Sequence, residues 1–231
     1  MFEALAEKLQ ALHDKLTREA VPYDPSQFGD ELATRTSWGP AKSGGASFGT
    51  HRLRDAGPRR VEFRAKGGAL AFYGVFVAMG LMALTVFPVA AFSTMGMDWR
   101  VAPFLIIPFL VGSVFIVVGG AMWYHGSAPI VFDKQRGEYW KGRVAPGEAA
   151  NPQQIKVHID LVRIHALQLI SEHCRGSKSS FYSYELNLVL DDATRMNVLD
   201  HGDRDELRHD AEALAKFLGK PLWDATGSAT A

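Results

Sequence analysis

The chain is poor in cysteine: Cys174 is the only one in 231 residues. An intrachain disulfide and a cysteine-built metal cluster are therefore excluded, and a reducing compartment is favoured for the soluble part. Neither sign of charge is in excess, with 25 Lys+Arg against 25 Asp+Glu. A nucleic-acid partner, which calls for a basic surplus, is not expected. The opening "MFEALAEKLQALHDKL" carries charges throughout and has no apolar run, so no signal peptide is expected there. Also absent are a Walker loop, a dinucleotide fingerprint, H-E-x-x-H and G-x-S-x-G. With none of these motifs, neither a catalytic site, nor a cofactor, nor a metal site is expected.

Two stretches lack charge altogether. Residues 67–92 ("GGALAFYGVFVAMGLMALTVFPVAAF") and 101–124 ("VAPFLIIPFLVGSVFIVVGGAMWY") hold no Asp, Glu, Lys or Arg. As helices they would cover about 36–39 Å at 1.5 Å per residue. The hydrocarbon core of a bilayer is about 30 Å thick. Both read as membrane spans, and the eight-residue gap "STMGMDWR" makes them a hairpin. Basic residues gather on the outer flanks. Arg52, Arg54, Arg59, Arg60, Arg64 and Lys66 precede the first span, and Lys134, Arg136, Lys141 and Arg143 follow the second. The positive-inside bias then places both chain ends in the cytoplasm. Trp99 marks one interface, and Tyr73, Trp123 and Tyr124 mark the other. No ionisable group lies inside either span, which argues against an ion or proton pathway.

The remaining chain divides by pattern. Phe2, Leu5, Leu9, Leu12 and Leu16 form a narrow apolar seam on a helix over 1–20, suited to docking, self-association or the membrane surface. Residues 21–47, rich in Pro, Gly, Ser and Thr, read as linker or loop, with Trp38 as an anchor. Residues 48–66 read as a β-hairpin turning at "AGP". A cytoplasmic β domain is expected over 128–223, with alternation in "PIVFD", "GEYWKG", "QIKVHI" and "IHALQLIS". Residues 224–231 are expected as a disordered tail.

The stretch "SYELNLVLDDATRMNVLDHGDRDELRHDAEALAKFLGK" concentrates histidines and aspartates. Its alternation predicts two strands around the turn "DDAT", with Leu186, Leu188 and Leu190 facing one way and Glu185, Asn187 and Val189 the other. Asp203 with Glu206 three residues on predicts a capping box. A helix over 203–218 follows, with an apolar stripe of Leu207, Ala211, Leu214 and Leu218, ended by Gly219 and Pro221. His209 and Asp210 diverge by about 100° on that helix, which disfavours a shared metal with His201. His158, His165 and His173 recur at near-even spacing, a pattern that could sense pH. Cys174 lies between His173 and Arg175, a setting that can lower a thiol pKa.

About seven extended segments followed by a capped helix resemble the pleckstrin-homology-like fold. The resemblance covers about 48–66 and 129–223 and rests on element order and on the ending "YELNLVLDDATRMNVLDHGD…LAKFLG". It implies an α+β protein of a kind found in bacterial inner membranes: a two-helix transmembrane hairpin plus an antiparallel cytoplasmic domain that binds lipids or proteins. The expected function is non-enzymatic, with membrane lipids and a protein partner or a second copy as partners. Sensing of anionic lipid through the juxtamembrane bases, or immunity against a membrane-acting toxin, are the alternatives.

Overall fold

The computed structural model describes residues 19–20, 24–42, 45–96, 102–148, 157–175 and 180–228. The seam residues Phe2, Leu5, Leu9, Leu12 and Leu16 lie outside them, as does Trp99. The chain forms two units, one built from Met1–Arg64 with Pro129–Ala231, the other from Ala65–Ala128.

The first unit is α+β. Its elements are β1 (Glu19–Ala20), α1 (Glu31–Arg35), β2 (His51–Gly57) and β3 (Arg60–Ala65), then, after the second unit, β4 (Ile130–Asp133) to β9. The intervening strands are β5 (Glu138–Lys141), β6 (His158–Asp160), β7 (Ile164–Arg175), β8 (Ser180–Leu190) and β9 (Arg195–His201). One sheet has the order β2-β3-β4-β5-β6. The other has the order β1-β7-β8-β9, with β10 (Leu222–Asp224) pairing parallel to β7. The hairpin β2–β3 thus belongs to the main fold rather than standing apart. β3 pairs with β4 from Arg60↔Asp133 to Phe63↔Ile130, although both apolar helices lie between them in the chain.

The core forms where the period-2 pattern puts apolar side chains on inner faces. Val61, Phe63, Ile130, Phe132, Tyr139 and Ile159 come from the first sheet. Leu167, Leu169, Leu186, Leu188 and Leu190 come from the second, where Leu167 faces Leu188 and Leu169 faces Leu186. Each such side chain contributes about 1.5–3 kcal/mol on burial. Helix α4 (Arg204–Leu218, following the two helices of the second unit) adds Leu207, Ala211, Leu214 and Ala215 to this core. Gly219 ends it in the left-handed conformation, φ 69°, and donates its N–H to Ala215 O.

The helix is not the last packed element. β10 follows it, and Ala225 and Thr226 are buried, so residues 224–228 are ordered rather than a loose tail. Arg208 of α4 holds them: its Nε donates to Asp224 at 2.6 Å and its Nη2 to Thr226 Oγ1 at 2.8 Å.

Residues 24–42 with 45–46, expected as linker or loop with Trp38 as an anchor, form a strap across the outer face of the β7–β8–β9 sheet. Five side chains of that sheet satisfy its backbone or support those that do. Gln168 Nε2 donates to Ser37 O, and Arg195 Nη1 to Gly39 O. Glu185 accepts from the N–H groups of Ala41 and Lys42, and Ser183 Oγ from that of Ala46. Asn187 Nδ2 donates to Gln168 Oε1 at 3.3 Å, where Arg195 also donates. Ala33 of the strap is buried with Ala166, Val189 and Trp223, and Phe28, Leu32 and Trp38 pack against them. The Phe28 and Trp38 rings stack at 5.4 Å.

The second unit is a pair of helices, α2 (Gly67–Met95) and α3 (Ala102–Gly126), slightly longer than the two charge-free stretches. They pack antiparallel through small residues. A Cβ on Gly112 would lie 2.9 Å from Gly80 O, and one on Gly119 would meet Phe76 and Val77. The aliphatic hydroxyls within α2 are satisfied by their own helix: Thr85 Oγ1 donates to Leu81 O, Ser93 Oγ to Ala90 O and Thr94 Oγ1 to Ala90 O. Most of the large apolar side chains of both helices are exposed, including Val89, Ile107 and Val117, while those at the helix contact, such as Phe76, Leu84, Phe115 and Ile116, are half-buried. Both helices are long and apolar enough to cross a membrane.

Candidate functional site

Four strong sequence features were candidates for a site: the basic cluster before α2, the histidines of β6 and β7, the His201–Asp210 stretch and Cys174. The structure places them in different local settings.

The basic cluster sits on β2 and β3. Alternation puts Arg60, Glu62 and Arg64 on the outer face of the first sheet, with Val61 and Phe63 inside. Glu62 is buried, at 2% exposure, and its two oxygens are divided between the flanking arginines. Arg60 Nε donates to Oε1 at 2.9 Å, and Arg64 Nε donates to Oε2 at 2.7 Å. Arg60 also lies 5.3 Å from the Trp140 ring centroid and 3.9 Å from Asp133. A guanidinium engaged by a carboxylate and an aromatic face is held in one geometry. Arg52 reaches Glu206 of α4 at 4.0 Å. Arg54 and Arg59 are exposed without a carboxylate partner among the described residues. Lys66 occupies the N-cap position of α2. Arg52, Arg60 and Arg64 are thus engaged by carboxylates of the described residues. The sequence displayed the six cations. It did not display that Glu62 would be buried between two of them.

The three histidines do not form a row. His158 lies on β6, in one sheet, 3.3 Å from Glu138. His165 and His173 lie on β7, in the other sheet. His165 Nε2 is 2.7 Å from Asp30 Oδ2, and its ring is 5.8 Å from that of Trp223. Asp30 is also the N-cap of α1, accepting from Leu32 N–H, and the His165 hydrogen bond holds its carboxyl below the usual range. The His173 ring stacks on Tyr182 at 4.9 Å.

The acidic residues near the C-terminus have structural partners. Asp203 accepts from Glu206 N–H at 3.0 Å. The reciprocal half of the expected capping box is replaced: Asp203 N–H donates to His201 Nδ1 at 3.0 Å, not to Glu206. Asp210 accepts from Leu53 N–H at 2.8 Å and joins α4 to β2. Burial raises the Asp210 pKa above the ordinary carboxylate value. Asp192 is held low by its bonds from the Thr194 hydroxyl and N–H in the β8–β9 turn. Cys174 is buried, with Sγ 3.2 Å from where a Cβ on Gly45 would stand. A nucleophile requires access that this position does not give. Among the described residues, no three His, Cys, Asp or Glu side chains converge where they could hold a metal ion.

One group of titratable residues was not visible in the sequence. His51 of β2, Lys141 of β5 and His201 of β9 interact electrostatically at the seam between the sheets. Lys141 Nζ donates to Asn197 O at 2.7 Å, and burial lowers the lysine to about 8. Burial, with Lys141 and His201 adding repulsion, lowers His51 to about 4. Nothing in the local pattern of "THRL", "WKG" or "LDHG" marks these three as neighbours.

Comparison with protein-family models, with curated proteins and with solved structures returned no match.

Proposed function

We propose that this chain is a membrane-anchored, non-enzymatic binding protein whose β unit holds a protein partner at the cytoplasmic face of a bacterial inner membrane. The observation that carries this reading is the place of the helical pair in the chain. The two apolar helices are inserted between β3 and β4, which are direct neighbours in register. One folded body is therefore built from chain on both sides of the insertion. Two crossings return the chain to the side it left, as that pairing requires. The positive-inside bias of the flanking bases assigns that side to the cytoplasm.

The element order supports the pleckstrin-homology-like resemblance: two sheets enclose one core, and a helix follows the strands. The inserted helices and the parallel β10 depart from the simple pattern. Protein binding is favoured over lipid-headgroup sensing because Glu62 already engages Arg60 and Arg64. Each free base near an anionic leaflet is worth about 1 kcal/mol, and the engaged ones are worth less.

The test is affinity capture of the tagged full-length protein from native membranes in mild detergent, followed by a native mass of the complex. A stoichiometric second protein is expected. A complex holding only lipid would overturn the reading in favour of headgroup binding.

A further inference from the structure

The chain from Phe48 to Leu53 is fastened to β9 and α4 by three hydrogen bonds. Gly202 N–H donates to Phe48 O at 3.0 Å, Thr50 Oγ1 donates to Asp200 O at 2.7 Å, and Leu53 N–H donates to Asp210 Oδ2 at 2.8 Å. The backbones approach so closely that a Cβ on Gly202 would fall 2.4 Å from Phe48 N. His51 lies in the middle of this fastened segment. Its Nδ1 is sealed from solvent and has no hydrogen-bond partner among the described residues, and the same is true of His201 Nε2.

The groups around His51 come from every element packed there. Lys141 on β5 and His201 on β9 are the charges that bear on it directly. Asp200 is carried by β9 and interacts with Lys141, as does Lys42 of the strap. From α4 come Glu206, whose Oε2 is 3.8 Å from His201 Nε2, and Asp210, committed to Leu53. On β2 itself Arg52 points to Glu206. None of these carboxylates is hydrogen-bonded to His51. A cationic imidazole there would have no carboxylate hydrogen-bonded to it and would face the Lys141 ammonium, which an interior disfavours strongly.

We propose that residues 48–53 are an acid-released latch: protonation of His51, which the closed seam beside Lys141 and His201 does not accommodate, frees β2 from β9 and α4.

The sign follows from proton linkage. The closed seam keeps His51 neutral down to about 4, whereas the opened segment takes up its proton near the ordinary value of 6.5. The open form binds more protons throughout that window, so closure weakens as pH falls from 6.5 to 4 and changes no further below it. Between pH 7.5 and 5.0 the opening equilibrium rises about thirtyfold.

The experiment is hydrogen exchange on the full-length protein in detergent micelles at pH 7.5 and 5.0. Leu53 and Gly202 amides are followed, each corrected for its intrinsic exchange rate. Wild type is expected to lose about thirtyfold in protection at both amides on acidification. His51→Phe is expected to show less than a threefold change. Lys141→Met, which removes the neighbouring charge, is expected to lose protection on acidification by a smaller factor than wild type. Equal protection at the two pH values in wild type would overturn the proposal. So would an undiminished acid response in His51→Phe, or, if that variant does not fold, in Lys141→Met.

Discussion

Phe63 and Ile130 stand opposite each other on paired strands, with the whole helical hairpin between them in the chain. Their pairing makes the β unit one body across the insertion. The order and register of these two strands bring both ends of the helical pair back to one sheet.

Glu62 stabilises that body by holding Arg60 and Arg64 on its outer face. Glu62→Gln leaves a buried amide between two guanidinium groups. The expected loss is about 1–3 kcal/mol, read as a lowered melting temperature in detergent. The same variant is expected to bind anionic liposomes more tightly than wild type, because two arginines are released. Unchanged liposome binding would show that the pairing does not limit the cluster's contact with lipid.

Glu185 is buried beneath the strap and accepts two backbone N–H groups from it. Glu185→Ala removes the acceptor of both donors. The expected cost is about 2–4 kcal/mol, with faster proteolysis within residues 37–42. A strap as resistant as in wild type would contradict its assigned role.

These two glutamates show where sequence reading ended. The two long apolar helices were legible because each is a helix-length run without a charge. The α4 helix was legible because Asp203, the Leu207–Leu214 spacing and Gly219 agree locally. Alternation alone put Glu185 and Asn187 on the face opposite Leu186 and Leu188, with nothing to say what meets them. That face is buried because a distant segment of irregular backbone brings its own N–H and C=O groups to meet it. Composition left that segment open as linker or loop, since Pro, Gly and Ser are also what a chain needs to run flat across a sheet. Likewise β10 pairs with β7 through only three residues, Leu222 to Asp224, too few for a periodicity to register. The His51–Lys141–His201 grouping depends wholly on tertiary packing.

Asp30 ties α1 to β7 through His165. Asparagine keeps the N-cap, so Asp30→Asn isolates that link. At pH 7 the variant is expected to weaken strap docking by about 0.5–1.5 kcal/mol. Exchange of the Trp38 indole N–H, which donates to Ala33 O, reports it. A carboxyl held low in the folded state contributes stability above its unfolded value of 3.8 and loses it as pH falls through the lower folded value. The difference between wild type and variant should therefore persist down to about pH 4 and vanish below it.

Gly112 and Gly80 let α2 and α3 touch backbone to backbone. Gly112→Leu cannot be accommodated at that distance and is expected to separate the helices, at about 1–3 kcal/mol. The hairpin's thermal transition in detergent, followed by circular dichroism, is expected to fall. Gly120→Leu, where an added Cβ meets nothing within 4 Å, serves as the control and should change little.

The most direct test of the account is side-specific labelling in sealed membrane vesicles. Ala56→Cys lies in β2, Asp192→Cys in the β8–β9 turn and Met95→Cys at the end of α2, each in a Cys174→Ala background. An impermeant maleimide is expected to reach positions 56 and 192 from one side and position 95 only from the other. Labelling of 56 and 192 from opposite sides, or of all three from the same side, would contradict a β unit anchored by an inserted transmembrane hairpin.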